Sequence, residues 1–453
     1  MLTIGYVFSA ILAGLVILFL AFLGILRTNP ERIFNVYPKK GLLYHLKYYL
    51  VLQLVKHFRE RICQKYIRRN SIDYIGGIYT MDAPQELGQN PKSYDKVSFT
   101  GATQNGYRLV VSMERRRRGI YFAALYLYTP NRGVFKLPNL PDTICVPEIE
   151  VEQESNNNEF HSNGIKIEVV NPMRKWKIEF NGNLTNGDKV YNVAIKAEFN
   201  SKNSSYFNHN KDLSSFVIAD SLAREPWNDD FFHILKNIGE LTKNREHYEQ
   251  VGTMEVDFKI DEEQEISVTM QAFRDHSFGT DNDLETMHRY AYFIIFLNNG
   301  SYVVFGNLSR PSFFLSSLKV GYVVTKDGRY VPLKGSNFEL YSYGESGRPP
   351  KHSNFVISTE DNNNFISIVC EDSEKRYVGV NWEAKIYNQF ISCGVGSQIG
   401  HGVAEYFYQN ATGRPESAQQ KDPGWFKSLR NYERTISECQ HTEDEEDDDD
   451  FGF

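Results

Sequence analysis

The sequence predicts an all-β body of two antiparallel barrels or sandwiches in tandem, preceded by two helical segments. Three observations carry this. Short apolar or alternating runs recur from about residue 71 to 415, separated by turn signals such as Asn181-Gly182, Asn186-Gly187 and Asn298-Asn299-Gly300. Aromatic residues make up 14% of the chain, with 28 Tyr and 31 Phe, a richness that suits pleated surfaces better than helix bundles. A helical pattern inside this stretch appears mainly near Trp227–Leu241, between two strand-rich halves.

The strands follow in order. Tyr107–Met113 and Ile120–Tyr128 flank Glu114-Arg115-Arg116-Arg117-Arg118-Gly119. Lys175–Phe180 and Val190–Phe199 come next, then Ile266–Phe273, Tyr290–Leu297 and Tyr302–Asn307, the last two joined as a hairpin. Phe365–Cys370, Val378–Trp382 and Val403–Tyr408 complete the set. This divides the chain into an anchor (1–27), a basic helical linker (28–70), β domains at 71–240 and 241–415, and an acidic tail (416–453).

The anchor is Leu2–Leu26, 25 residues without a charge. At 1.5 Å per residue that length crosses a hydrocarbon core of roughly 30 Å. No basic residue precedes it and no clear cleavage site follows, which argues against a removed signal peptide. Arg27, Arg32, Lys39, Lys40 and Lys47 on its C-terminal side place the body in the cytosol, as a single-pass protein of an ER-type endomembrane. Five scattered cysteines form no CxxC pair and fit that compartment, whereas sequons at Asn183, Asn203, Asn299, Asn307 and Asn410 point the other way. Gly41–Asn70 has Leu42, Leu43, Leu46, Tyr49, Leu50, Leu54 and Phe58 at helical spacing among basic residues. Such a helix either lies on an anionic membrane surface or packs on the body.

The net charge of −7 comes from the eight acidic residues of Glu443–Asp450, and the remainder is close to neutral. No nucleic-acid footprint is present. The tail offers a docking segment for a basic protein partner. Arg115–Arg118 reads as a strand end whose arginines alternate in direction, some pairing with acids and the rest solvated. No phosphate loop, dinucleotide fingerprint, HExxH or GxSxG occurs. His401 and Glu405 share a strand face, but two ligands make no metal site. No cofactor and no metal is expected.

One constellation stands out. Ile266, Val268, Met270 and Ala272 share a strand face that continues to Arg274, and the chain then reads Asp275-His276-Ser277-Phe278-Gly279. Arginine at the end of an apolar face requires a partner or a ligand. Asp beside His supplies a proton donor and acceptor. A purely structural role fits these residues as well: turn hydrogen bonds for Asp275 and Ser277, and an ion pair that closes a barrel end for Arg274.

Arg274–Gly279 resembles the R-D-H-S-W-G signature of the tandem lipocalin-like superfamily that includes carotenoid 1,2-hydratases (hydroxyneurosporene synthases). Pro172–Ile178 with Gly182, Trp227-Asn228, Phe231-Phe232, Tyr248-Glu249-Gln250 with Gly252, Gly321-Tyr322-Val323 and Gly400-x-Gly402-Val403-x-Glu405-Tyr406 are similar to further pieces, covering about residues 95–410. The sequence is most similar to the N-terminal β module of animal phosphoenolpyruvate-synthase-like proteins. The resemblance implies two lipocalin-like barrels with an apolar cavity. It also implies Asp275 as an acid that protonates an alkene, His276 as its orienter, Arg274 and Glu405 as support, and Tyr290 and Phe278 as ring faces for a cation. Phe278 stands where the signature has Trp, so the indole donor is lost. Three readings follow: a membrane-anchored binder or carrier of a lipid or isoprenoid, a hydratase-like enzyme acting on an apolar alkene, and a non-catalytic interaction scaffold.

Overall fold

The computed structural model describes residues 24, 26–67, 80–90, 92–145, 160–201, 205–242, 245–280, 284–379 and 381–414. All but two residues of the expected anchor lie outside these, as do the acidic tail, Cys439 and Asn203. Among the described residues no helix is long and apolar enough to cross a membrane.

The elements in chain order begin with β1 (Arg32–Ile33), β2 (Tyr37–Pro38) and α1 (Tyr44–Ile67). Next come β3 (Tyr94–Ala102), β4 (Arg108–Arg116), β5 (Tyr121–Thr129), β6 (Gly133–Lys136), β7 (Ile144–Cys145), β8 (Phe160–Ser162), β9 (Ile165–Asn171), β10 (Lys175–Asn186), β11 (Lys189–Asn200) and β12 (Phe207–Asn208). Two helices, α2 (Ser215–Arg224) and α3 (Asp229–Thr242), precede β13 (Arg245–Ile260) and β14 (Ile266–Gly279). The rest is β15 (Arg289–Leu297), β16 (Tyr302–Arg310), β17 (Leu315–Val324), β18 (Tyr330–Pro332), β19 (Gly335–Ser336), β20 (His352–Ser358), β21 (Asn363–Val378), β22 (Ala384–Val395) and β23 (Gln398–Gln409).

Strands β11-β13-β14-β3-β4-β5-β6-β10 form an antiparallel ring of eight that closes through β10–β11. The second sheet runs β18-β17-β16-β15-β23-β22-β21-β20-β19. Its two edges meet at residues 330–336, where the Leu333 amide donates to Gly321 O of β17 and the Lys334 amide to Ser358 O of β20. A closed barrel followed by this second sheet fits two tandem lipocalin-like modules. The division expected at residue 240 needs correction. β13 and β14 pair with β11 and β3, so they complete the first barrel, and the helix pair is an insertion between its strands. The physical reason is that β13 is long and pairs along its length on both sides, a long-range pairing that local patterning does not reveal. Val378–Trp382 also departs from expectation: β21 ends at Val378, and Gly379 and Trp382 take positive φ in a turn.

Alternation sets the core. In β10, Trp176, Ile178 and Phe180 are buried while Lys177 and Glu179 pair outside. Trp176 meets Phe99 at 5.8 Å and Phe160 at 6.4 Å between ring centroids, and Phe199 meets Phe99 at 5.8 Å, so large aromatic side chains pack inside the barrel. The outer faces of β13 and β14 pack against the second sheet through Val251 and Phe273, which meet Tyr292, Ile294, Phe296, Val304 and Tyr322. We call this contact the seam. α1 packs on α2 through Val51, Leu52 and Ala219, and α2 packs on β17 through Val217 and Val320. The helix expected over 41–70 is therefore seated on the body along one face. Its other face leaves Leu46, Tyr49, Leu50, Leu54 and Phe58 exposed.

Gly400-x-Gly402 has a steric cause. A Cβ on Gly400 would lie 2.1 Å from Phe296 O, and one on Gly402 2.1 Å from Ile294 O, both backbone atoms of the neighbouring β15. Gly402→Val is therefore expected to cost about 1–3 kcal/mol or more in urea unfolding. Gly335→Ala, where nothing lies within 4 Å of the added methyl, is expected to leave the midpoint unchanged.

Candidate functional site at the seam

Strand alternation splits the Arg274–Phe278 segment between two faces of β14. Arg274, His276 and Phe278 share the inward face of the barrel, and Asp275 shares the outward face with Phe273. Each face carries its own polar network.

The inner network is closed. Arg274 Nη1 lies 2.5 Å from Asp82 Oδ1, and Arg274 Nη2 donates to Gln250 Oε1. The Tyr248 hydroxyl donates to Asp82 Oδ1 at 2.6 Å and sits 2.8 Å from His276 Nδ1. His276 Nε2 lies 2.8 Å from Asp95 Oδ1, and Arg115 Nη2 2.5 Å from Asp95 Oδ2. Trp176 Nε1 and the Met173 amide fill Asp82 Oδ2. Burial opposes the charge on Asp82, but the Arg274 guanidinium and the donors around it outweigh burial and hold the carboxyl below its ordinary value. Asp95 is likewise held low, against burial, by His276 and Arg115. Arg274, Asp82, Asp95 and His276 have no exposed side-chain surface, and Phe278 packs its ring on His276 at 5.3 Å. The arginine run begins as its sequence suggests: Arg115 pairs with Asp95, and Arg116 with Glu114 at 2.6 Å.

The outer network lies on the seam. Across the β13–β14 ladder Asp275 stands directly opposite Glu249, two like charges as a cross-strand pair. His247 Nε2 contacts Asp275 Oδ2, and His209 Nε2 lies 2.7 Å from Glu249 Oε1. The two imidazoles stack with centroids 4.0 Å apart and planes 5° apart. Two imidazolium charges at that separation repel by on the order of 4 kcal/mol at an effective dielectric near 20, less where water screens them. The second sheet completes the group. The Tyr292 hydroxyl donates to Glu249 Oε1 at 2.5 Å and the Tyr322 hydroxyl to Oε2 at 2.8 Å. Beside them the Tyr290 hydroxyl donates to Glu405 Oε1, and Arg376 Nη2 pairs with Glu405 Oε2 at 2.6 Å. Burial, and after it the Glu405 charge, push the Tyr290 phenol well above its ordinary value. Burial opposes the Glu405 charge, and Arg376 holds that carboxyl low. Burial likewise opposes the charge on Asp275, and His247 holds it low. The His247 side chain is 38% exposed and His209 14%, so the group opens to solvent on the histidine side.

Residues 11–408 match a family of unknown function, DUF8627. The chain belongs to that family. No curated protein matches this DUF8627 member. Solved structures similar to it include an AttH-type protein from Nitrosomonas europaea, with 8% identity, TM-score 0.46, and coverage of 72% of this chain and 98% of that one. Kievitone hydratase from Nectria haematococca gives 14% identity, TM-score 0.42, and coverage of 73% and 92%. CghA gives 11%, 0.38, 72% and 90%.

Of the residues singled out in the sequence, Tyr290 donates to Glu405 on the second sheet with Asp275 within electrostatic reach of that phenol, and Arg274, His276 and Phe278 lie together on the inward face of β14 in the barrel. Sequence reasoning quoted Glu249 and Tyr322 within family-like pieces without giving them a role, and it missed His209, His247, Tyr292 and Arg376. His247-x-Glu249 at strand spacing was the one local signal, and only pairing with β12 brings His209 to it.

Arg274→Ala strands a buried carboxylate, and a loss of about 3–5 kcal/mol is expected in urea unfolding at neutral pH. A carboxyl held low in the folded state adds stability above its unfolded value near pH 4, and that stability is lost as pH falls through the folded value. The gap between wild type and Arg274→Ala is therefore expected to narrow on acidification below pH 4. A gap independent of pH would contradict the ion-pair account.

Proposed function

We propose that this protein binds a small organic molecule at the seam between its two β modules and carries out hydratase-like proton transfer there. One observation supports the reading: the Tyr290 hydroxyl donates to Glu405, which pairs with Arg376, and the Asp275 carboxylate lies within electrostatic reach of the same phenol. In the direction of hydration the Tyr290 hydroxyl would give its proton to one alkene carbon as water adds to the other, and the proton that the added water loses would pass to Glu405 and from it back to the phenolate. Arg376 keeps Glu405 ionised and aimed. His276 has no part in the step, because Asp95 and Tyr248 hold it inside the barrel. The substrate class that the resemblance implies is an apolar alkene such as an isoprenoid, whose body would lie along the aromatic side chains of the seam.

Tyr290→Phe and Glu405→Gln test the assignment. With polyene and isoprenoid alkenes in heavy-oxygen water, each variant is expected to lower label incorporation by roughly 100-fold or more, the scale of a lost general acid or base. Its circular dichroism is expected to stay unchanged. Undiminished turnover in both variants would remove them from the mechanism.

A second reading, a membrane-tethered carrier, draws on the exposed stripe of α1. Leu46, Tyr49, Leu50, Leu54 and Phe58 are joined by Phe232 and Leu235 on α3 as exposed large apolar side chains. Leu26, the last residue of the uncharged stretch, accepts hydrogen bonds from Lys47 Nζ and the Trp227 amide, beside the starts of α1 and α3. A chain lacking residues 1–23 with Leu50→Glu and Leu54→Glu is expected to lose flotation with anionic vesicles that the same truncation without those changes retains. Equal flotation of the two would remove the stripe from membrane contact.

A further inference from the structure

We propose that His209, His247, Glu249 and Asp275 form a binding site for a divalent transition-metal ion, zinc foremost, at the solvent edge of the seam. The inference deepens the reading of the seam as a chemical site, but the metal site rests on its own geometry. β12 pairs with β13, and the His209 amide donates to His247 O at 3.0 Å. That ladder places the two imidazoles side by side. One ring nitrogen of each of His209 and His247 and a Glu249 carboxylate oxygen all lie within 4.8 Å of one another. His209 Nε2 is 2.7 Å from Glu249 Oε1, His247 Nε2 is 3.7 Å from the same oxygen, and Asp275 Oδ2 touches His247 Nε2. Ligand atoms at about 2.0–2.2 Å from a tetrahedral zinc stand roughly 3.3 Å apart. The two histidine–Glu249 distances, 2.7 and 3.7 Å, straddle that value.

Electrostatics favours an ion over the alternative of two separate histidine–carboxylate pairs. Glu249 and Asp275 face each other across the ladder; Lys96 of β3 contributes a positive charge to Asp275, and Arg376 is taken by Glu405. Protonating both imidazoles would balance the two carboxylates at the cost of stacking two cations at 4.0 Å. Leaving both neutral relieves the stack, and the facing carboxylates then rest on hydrogen bonds from Tyr292, Tyr322 and Ser98 and on the charge of Lys96. A divalent cation held by two neutral imidazoles and two carboxylates meets both demands. The surrounding contacts resemble an outer shell: Tyr292 and Tyr322 fix the two Glu249 oxygens, and the Ser98 hydroxyl reaches Asp275 Oδ1 at 3.4 Å. Two imidazoles with two carboxylates suit zinc or a neighbouring first-row dication, and an all-oxygen shell for calcium or magnesium is not built here. The exposed edge of His247 gives the ion a path in.

The test is isothermal titration of the full chain, stripped by chelator, with zinc chloride, together with cobalt substitution read by visible absorption. One zinc per chain, a raised melting temperature and the absorption bands of four-coordinate cobalt are expected. His209→Ala with His247→Ala is expected to abolish all three. Tyr322→Phe, which keeps every ligand, is expected to weaken zinc binding by roughly 10–100-fold, the scale of a lost outer-shell partner. That variant keeps the proposal testable where the double variant does not fold. Glu405→Gln is expected to retain zinc binding, so loss of alkene chemistry and loss of metal binding are separable. No heat and no cobalt bands with the folded wild type, or equal binding by the double-histidine variant, would overturn the site.

Discussion

The buried pair between Arg274 and Asp82 is the constraint on which the first barrel depends. A guanidinium with no exposed surface is tolerable only where its charge is matched and most of its donors are met. Asp82 does this from outside the barrel's strands, in the described segment just before β3, with Tyr248, Trp176 and the Met173 amide filling its remaining acceptor sites. The same cluster fixes His276 and, through Asp95, Arg115. β14 is thereby held in one register against β13 and β3, because a one-residue slip would carry Arg274 to the seam and Asp275 into the barrel.

That register gives the seam its chemistry. Once Arg274 is committed inward, Asp275 must face the second sheet, opposite Glu249. The seam then collects carboxylates from both modules, Glu249 and Asp275 from one and Glu405 from the other, with phenols from β15 and β17 between them. In the function proposed for the seam, stability and chemistry fall to adjacent residues on opposite faces of one strand, the inward ones holding the barrel and the outward one facing the proposed site.

Much of this was legible in the sequence. The alternation from Ile266 to Arg274 placed the arginine on the apolar face, and Asn298-Asn299-Gly300 marked the β15–β16 hairpin. The structural role weighed for Arg274, closure of the barrel end by an ion pair, matches its contact with Asp82. Other features were hidden for physical reasons. Asp82 lies far from Arg274 in sequence, and nothing local marks it as the partner. No strand is read from the sequence over Arg245–Ile260, yet β13 pairs with β14 on one side and with β12 and β11 on the other, so the boundary at 240 cut a barrel in two. Ser214 caps α2 by accepting from the Phe216 amide, a short helix that β-rich surroundings obscured. His209 joins His247 only through ladder pairing.

The most direct test of the two-face account is histidine reactivity. Diethyl pyrocarbonate labelling of the folded, chelator-treated chain, mapped by mass spectrometry, compares His247, whose side chain is 38% exposed, with His276, which is 0% exposed. The expected result is labelling of His247 with His276 protected until denaturant unfolds the barrel. Labelling of His276 at the same rate as His247 in the folded protein would contradict the inward commitment of Arg274 and His276, and with it the account of the seam.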